Sequence, residues 1–217
     1  MVGCWRPRGC GIACMVSSMP SSVYGGNTKL LFSIEEQVDN PASLYAATKK
    51  ADELMSNAYA VTYGLPLTGL RLFTVYGPWG RPAMSAYIFT RKIVAGHPIP
   101  GFNNGDMQRD FTYVDDIVAA VLAVHDLPSE RGENGKPLHR VYNLGNSKSE
   151  QLMRVIGVIE EALGTKAEID LQPMQPGDVQ ATYADIDASQ RDFGFGPKTP
   201  IDVGIPSLVN WYRKFHG

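Results

Sequence analysis

The chain has 217 residues, 44% hydrophobic and 19% charged, with a formal net charge of -2. That is the composition of an ordinary globular chain with enough apolar mass for one large domain or two small ones. It excludes a nucleic-acid surface, which needs a concentrated basic face, and a helical membrane span, because no apolar run reaches about 18 residues.

No basic region followed by a long apolar stretch marks a secretory signal, so the cytoplasm is the expected compartment. The three cysteines, Cys4, Cys10 and Cys14, are an odd and clustered set, a poor disulfide framework. Their spacing matches no zinc site, and the four histidines are scattered, so no metal is expected. Residues 1–10 lack periodicity and read as a loop or frayed end. Gly9, Gly11 and Cys14 loosely imitate a dinucleotide fingerprint, but no strand fits before them, and residues 11–16 themselves read as a short buried strand.

Residues 17–27 form a hydroxyl-rich loop after that strand, the place where ligands sit in open α/β sheets. Asn40 and Pro41 break the chain, and Ser43 is a fitting N-cap for a helix over 43–63. Its predicted buried stripe is Leu44, Ala47, Ala51, Leu54, Ala58 and Val61, with Gly64 as the stop. Residues 67–73 have strand length and apolar character. Strand, long helix, strand is a βαβ unit and implies a parallel sheet.

A shaped loop over 74–82 follows, then an amphipathic helix over 84–95. Asp115 and Asp116 sit where acidic residues favour the start of a helix, expected over 117–125. Residues 129–137 are a polar loop whose 132–136 segment lacks what a phosphate loop needs. A strand is expected at 141–144, a helix at 149–163 with Leu152, Val155, Ile156, Ile159 and Leu163 inward, and a strand at 167–171. The final helix, 201–215, carries Pro206 as a bend or late start.

Within the 43–63 helix, Tyr45 and Lys49 stand four apart and therefore on one face. A phenol ordinarily titrates near 10, and a fixed ammonium beside it favours the phenolate, which can then act as a base. Spacing alone is weak evidence, because Tyr and Lys meet this way on many amphipathic helices.

Several further motifs accompany the pair in order. They are Ser21-Ser22-Val23-Tyr24-Gly25, Leu72-Phe73-Thr74-Val75-Tyr76-Gly77-Pro78, Arg109-Asp110-Phe111-Thr112-Tyr113-Val114-Asp115-Asp116 and Pro176-Gly177-Asp178. Together they resemble the extended short-chain dehydrogenase/reductases that act on nucleotide sugars. Residues 40–50 and 77–82 resemble, more narrowly, UDP-glucuronate 4-epimerases. The likeness runs from about Gly11 to the C-terminus.

The resemblance implies an α/β fold: the remainder of a doubly wound parallel (Rossmann) sheet lacking its first strands, plus a smaller C-terminal α/β substrate domain. The NAD-binding part would be 1–76 and the nucleotide-sugar part 77–217, with about 109–145 returning to the sheet. It implies NAD as cofactor and UDP-glucuronate or a related UDP-sugar as partner. Tyr45 would take the proton from the sugar 4-hydroxyl, while Lys49 would favour its phenolate and bond the nicotinamide ribose. Phe73 and Val75 would line the nicotinamide. Ser21, Ser22, Thr74 and Arg81 would hold the glucuronate carboxylate, for which a bidentate arginine is suited. Arg109 would grip the UDP phosphates, and Asp178 would lie near the uridine ribose. A homodimer through the Tyr45/Lys49 helix is a further implication.

The sequence departs from that family twice. Nothing corresponds to the strand, glycine-rich turn and helix that hold the NAD pyrophosphate, so the chain reads as a C-terminal portion. Pro20 occupies the place of a hydroxyl residue in the catalytic hydrogen-bond chain, and proline has neither hydroxyl nor N–H. NAD binding and turnover are therefore expected to be impaired. The alternative is an inactive remnant or a UDP-sugar-binding module. Dehydration is disfavoured, because Ser21 and Ser22 replace the Asp-Glu pair that expels water.

Overall fold

The computed structural model describes residues 2–5, 12–25, 27, 31–127, 135 and 139–217, the side chains of 2–5 and 12–15 excepted. In chain order the elements are β1 (Val2–Trp5), β2 (Ile12–Pro20), α1 (Leu44–Tyr63), β3 (Leu67–Leu72), β4 (Thr74–Tyr76), α2 (Ser85–Val94), β5 (Ile99–Gly101), β6 (Gln108–Tyr113), α3 (Val114–Asp126), β7 (Arg140–Leu144), β8 (Ser149–Gln151), α4 (Leu152–Leu163), β9 (Ile169–Leu171), α5 (Asp187–Phe193) and α6 (Ile201–His216). They divide between two interleaved units. The first takes 1–73, 118–144 and 184–196, and the second takes 74–117, 145–183 and 197–217.

The first unit is built on a sheet of order β1-β2-β3-β7, in which β2, β3 and β7 run parallel. The βαβ unit formed by β2, α1 and β3 is the one the hydrophobic pattern predicts. Ser43 caps α1 by accepting a hydrogen bond from the Ala46 N–H at 3.1 Å, and Gly64 closes it in the left-handed conformation at φ 65°.

Residues 1–10 are not simply a loop. Val2–Trp5 pairs antiparallel with β2, a partner that the sequence of these few residues does not announce. Likewise β2 runs to Pro20, beyond the expected end at 16, because β3 offers backbone partners along that length. Residues 9–11 of the rejected fingerprint lie outside the described residues, but Ile12–Cys14 are strand and open no helix. Of the 132–136 segment only Gly135 is described.

The buried face of α1 is also corrected. It is Ala46, Glu53 and Ala60, while Leu44, Leu54 and Val61 face solvent, as do Ala51 and Ala58. The cause lies on β3. Arg71 is buried among apolar strand residues and must be paired, and the Glu53 carboxylate meets it with two hydrogen bonds of 3.0 and 2.8 Å. That pair places Glu53 on the inward face of the helix.

The second unit holds a sheet of order β4-β6-β8 and a separate parallel pair, β5-β9. The segment 149–151, expected to be helix, is a strand antiparallel to β6, and α4 starts only at Leu152. From there Leu152, Val155, Ile156, Ile159 and Leu163 are buried as the 3.6-residue period requires. They pack with Tyr76, Phe89, Ile99 and Phe111 in one core. Residues before the predicted 117–125 helix likewise belong to elements: β6 ends at Tyr113 and α3 begins at Val114.

The last helix has no late start. It runs from Ile201 through Pro206 to His216. It approaches β4 closely at Gly204, where a Cβ would lie 2.3 Å from the Tyr76 hydroxyl oxygen. Among the described residues no helix is long and apolar enough to cross a membrane, and no cluster of His, Cys, Asp and Glu could hold a metal ion.

Candidate functional site

In the first unit Tyr45 lies in the first turn of α1, exposed, and Lys49 follows one turn later. Lys49 Nζ donates to Asp52 Oδ2 at 2.9 Å, and this pairing raises the lysine above its ordinary value, with a smaller contribution from Tyr45. Tyr45 and Lys49 thus stand one turn apart on α1, with the ammonium tied to Asp52. Lys49 and Asp52 also line a pocket of about 430 Å³ with Ser17, Ser18, Met55 and Tyr59.

The serine turn is held from beneath. Ser21–Tyr24 form one 3-10 turn with Pro20 as N-cap, and Gly25 follows at φ 49°. A Cβ on Gly25 would lie 2.4 Å from the Asn40 carbonyl, so glycine lets this turn sit against the chain leading to α1. Tyr24 OH donates to Asn143 Oδ1 at 2.7 Å and accepts from Arg71 Nη1 at 2.9 Å. Asn143 Nδ2 in turn donates to the carbonyls of Phe32 and Asp185 at 2.7 and 3.0 Å. The Ser17 and Ser22 hydroxyls are buried without a partner among the described residues.

Burial pushes the Tyr24 phenol above its usual value, against the pull of Arg71. Burial also opposes ionisation of Glu53. Arg71 and Lys50 outweigh it and hold the carboxyl below its usual range. Phe73 is buried beside the stacked rings of Tyr24 and Phe32.

In the second unit Thr74 and Val75 lie on β4, half-buried and paired with Phe111 and Thr112 of β6. Arg81 is exposed, with no side-chain hydrogen bond or ion pair among the described residues. Arg109 and Asp178, far apart in sequence, are brought together: Nη2 donates to Oδ1 at 2.7 Å. Arg109 Nη1 donates to the carbonyls of Gln108 and Gln180 at 2.8 and 3.1 Å. Burial lowers the Arg109 guanidinium below its ordinary value, and Asp178 opposes that shift. The result is an oriented cation facing an exposed carboxylate.

Residues 3–145 match the NAD dependent epimerase/dehydratase family. The chain belongs to that family. It is 48% identical over 206 residues to an uncharacterized 37.6 kDa protein of Escherichia coli O111:H-, covering 90% of this chain and 62% of that one. It is 44% identical to UDP-glucuronate 4-epimerase 2 of Arabidopsis thaliana over 211 residues, 93% of this chain and 49% of the relative. The chain thus spans about half to two thirds of the length of these relatives. Among solved structures it is similar to UDP-glucuronic acid 4-epimerase from Bacillus cereus, in complex with UDP-glucuronic acid and NAD. That match has a TM-score of 0.84 and 25% identity, and covers 93% of this chain and 62% of the other.

Sequence reasoning missed the set formed by Glu53, Arg71, Tyr24 and Asn143. Its signal was present in Arg71, a charged residue inside an apolar strand, which demands a buried partner. The aromatic contacts of Trp79 were missed as well, because they join distant segments.

Proposed function

We propose that this family member carries the proton-transfer pair and the sugar-nucleotide contacts of a UDP-glucuronate 4-epimerase. The observation that carries the reading is the placing of an exposed Tyr45 one helical turn from Lys49, whose charge Asp52 secures. The kinship with proteins named UDP-glucuronate 4-epimerases supports this substrate class.

In this reading Tyr45 accepts the proton of the sugar 4-hydroxyl and later returns it. Lys49 follows it one helical turn along the same helix. Arg109 holds the diphosphate and Asp178 the nucleotide ribose. Arg81, with Ser21, Ser22 and Thr74, holds the uronate carboxylate, while Phe73 and Val75 contribute apolar walls.

NAD, bound by family relatives, supplies a hydride acceptor for the sugar carbon. The described residues fit its nicotinamide end through Tyr45 and Lys49. They do not fit its pyrophosphate, because among them no strand passes through a glycine-rich turn into a helix N-terminus. Pro20, where a hydroxyl partner is expected, favours a second reading: a UDP-sugar-binding module with little turnover. A lost proton-transfer partner costs roughly 10²–10⁴-fold in rate.

One experiment separates the two. The protein is incubated with UDP-glucuronate and NAD, the C4-inverted product is measured, and binding is followed by calorimetry. Turnover abolished by Tyr45→Phe supports the epimerase, whereas turnover indifferent to that change sinks it. UDP-glucuronate binding without turnover supports the module, and absence of both removes both readings.

A further inference from the structure

Arg81 lies in a loop whose backbone is held in an unusual way. Gly80 N–H donates to the Gly77 carbonyl at 3.2 Å, closing a four-residue turn with Pro78 and Trp79 at its centre. Proline fixes a negative φ at the first central position, and Trp79 follows at φ 62°. That is the position where a type II turn calls for glycine, and a bulky residue there is a true outlier. Such a conformation persists only where the surroundings over-determine it.

The surroundings are aromatic. The Trp79 ring, although 72% exposed, lies 5.4 Å from that of Trp211 and meets the Phe215 ring edge-on at 4.8 Å. Trp211 and Phe215 stack on each other at 5.6 Å along one side of α6. The far end of the loop is tied to the same helix. Met84 N–H donates to the Arg81 carbonyl at 3.0 Å, and α2 then starts at Ser85. Tyr87 of α2 packs edge-on against Tyr212 and forms a 3.0 Å hydrogen bond with His216 Nε2. Arg81 therefore stands at the junction of two closed turns whose far ends are fastened to α6, while its own guanidinium remains free among the described residues.

We propose that Trp79, Trp211 and Phe215 form an aromatic clasp that positions Arg81 and so sets the preference for a uronate over a neutral sugar. The clasp rests on the reading of Arg81 as the carboxylate ligand. None of the three rings touches the sugar in this proposal; they act through the loop backbone. The strain at Trp79 is the sign of that role, because a glycine would satisfy the turn and leave the loop unattached.

The test is calorimetric titration of the intact protein with UDP-glucuronate, UDP-glucose and UDP. The variants are Trp79→Gly, which keeps the turn and removes the ring, Phe215→Ala, Phe215→Tyr and Arg81→Gln. The expected result is a preference for UDP-glucuronate over UDP-glucose in the wild type, reduced about tenfold by Trp79→Gly and by Phe215→Ala. Phe215→Tyr restores it, and UDP affinity stays within about twofold throughout. If Arg81→Gln abolishes the preference while both clasp variants keep it, the clasp is refuted and the Arg81 assignment stands. If the variants weaken all three ligands alike, the rings are merely structural and the proposal is wrong. A wild type without preference, or an Arg81→Gln protein that retains it, overturns the Arg81 reading and the clasp together.

Discussion

Helices α1 and α4 bury their inward faces in opposite ways. Helix α4 turns Leu152, Val155, Ile156, Val158, Ile159 and Leu163 inward, and the hydrophobic period places all of them but Val158. Helix α1 buries a carboxylate, Glu53, and leaves Leu44, Leu54, Met55 and Val61 in solvent. The difference comes from what lies opposite. The face opposite α4 is hydrocarbon, whereas α1 meets the buried Arg71, whose charge needs an ionic partner on the facing helix.

The strongest way to break this comparison is to remove the charge that orients α1. Arg71→Ala leaves Glu53 buried beside Lys50 alone, and a loss of about 3–5 kcal/mol in urea unfolding followed by circular dichroism is expected. A loss under about 1 kcal/mol would mean that the pair does not hold the helix. Next, Ile159→Ala in α4 removes a fully buried side chain and should cost about 2–5 kcal/mol, mostly as lost burial and cavity.

The two sites should also differ in their acid response. Glu53 titrates below its unfolded value in the folded state, so its contribution is complete above about pH 4.3 and disappears as the pH drops through the folded value. The stability gap between wild type and Glu53→Gln should therefore narrow as the pH falls below about 4.3. The gap for Ile159→Ala should not follow that course. A constant gap at Glu53 would contradict the pairing. The smallest effect is expected at Leu54→Ser on the outward face of α1, within about 0.5 kcal/mol. A much larger change would show that a second copy of the chain or another partner covers this face in solution.

What the sequence made legible was whatever is decided locally. Ser43 and Gly64 mark helix ends because a cap is a contact within a few residues. The inward face of α4 was legible because its surroundings are uniformly apolar. Strands β1 and β8 were not, because a run of three or four residues becomes a strand only through the partner it pairs with. Tyr45 and Lys49 stood out through accompanying motifs, and Arg109 and Asp178 were each assigned without any sign that they meet. The Trp79 contacts were invisible for the same reason: the rings that hold that residue come from the last turns of the chain.

The interleaving of the two units bears on how the polypeptide comes off the ribosome. The chain leaves the first unit after Phe73, returns at Val118, departs at Gly145 and comes back once more for 184–196. The sheet of the first unit cannot gain β7, nor the Asn143 carbonyl its Ser189 partner, until those late segments have been synthesised. Vectorial synthesis therefore cannot finish one unit before starting the other, and no single proteolytic cut yields either unit whole.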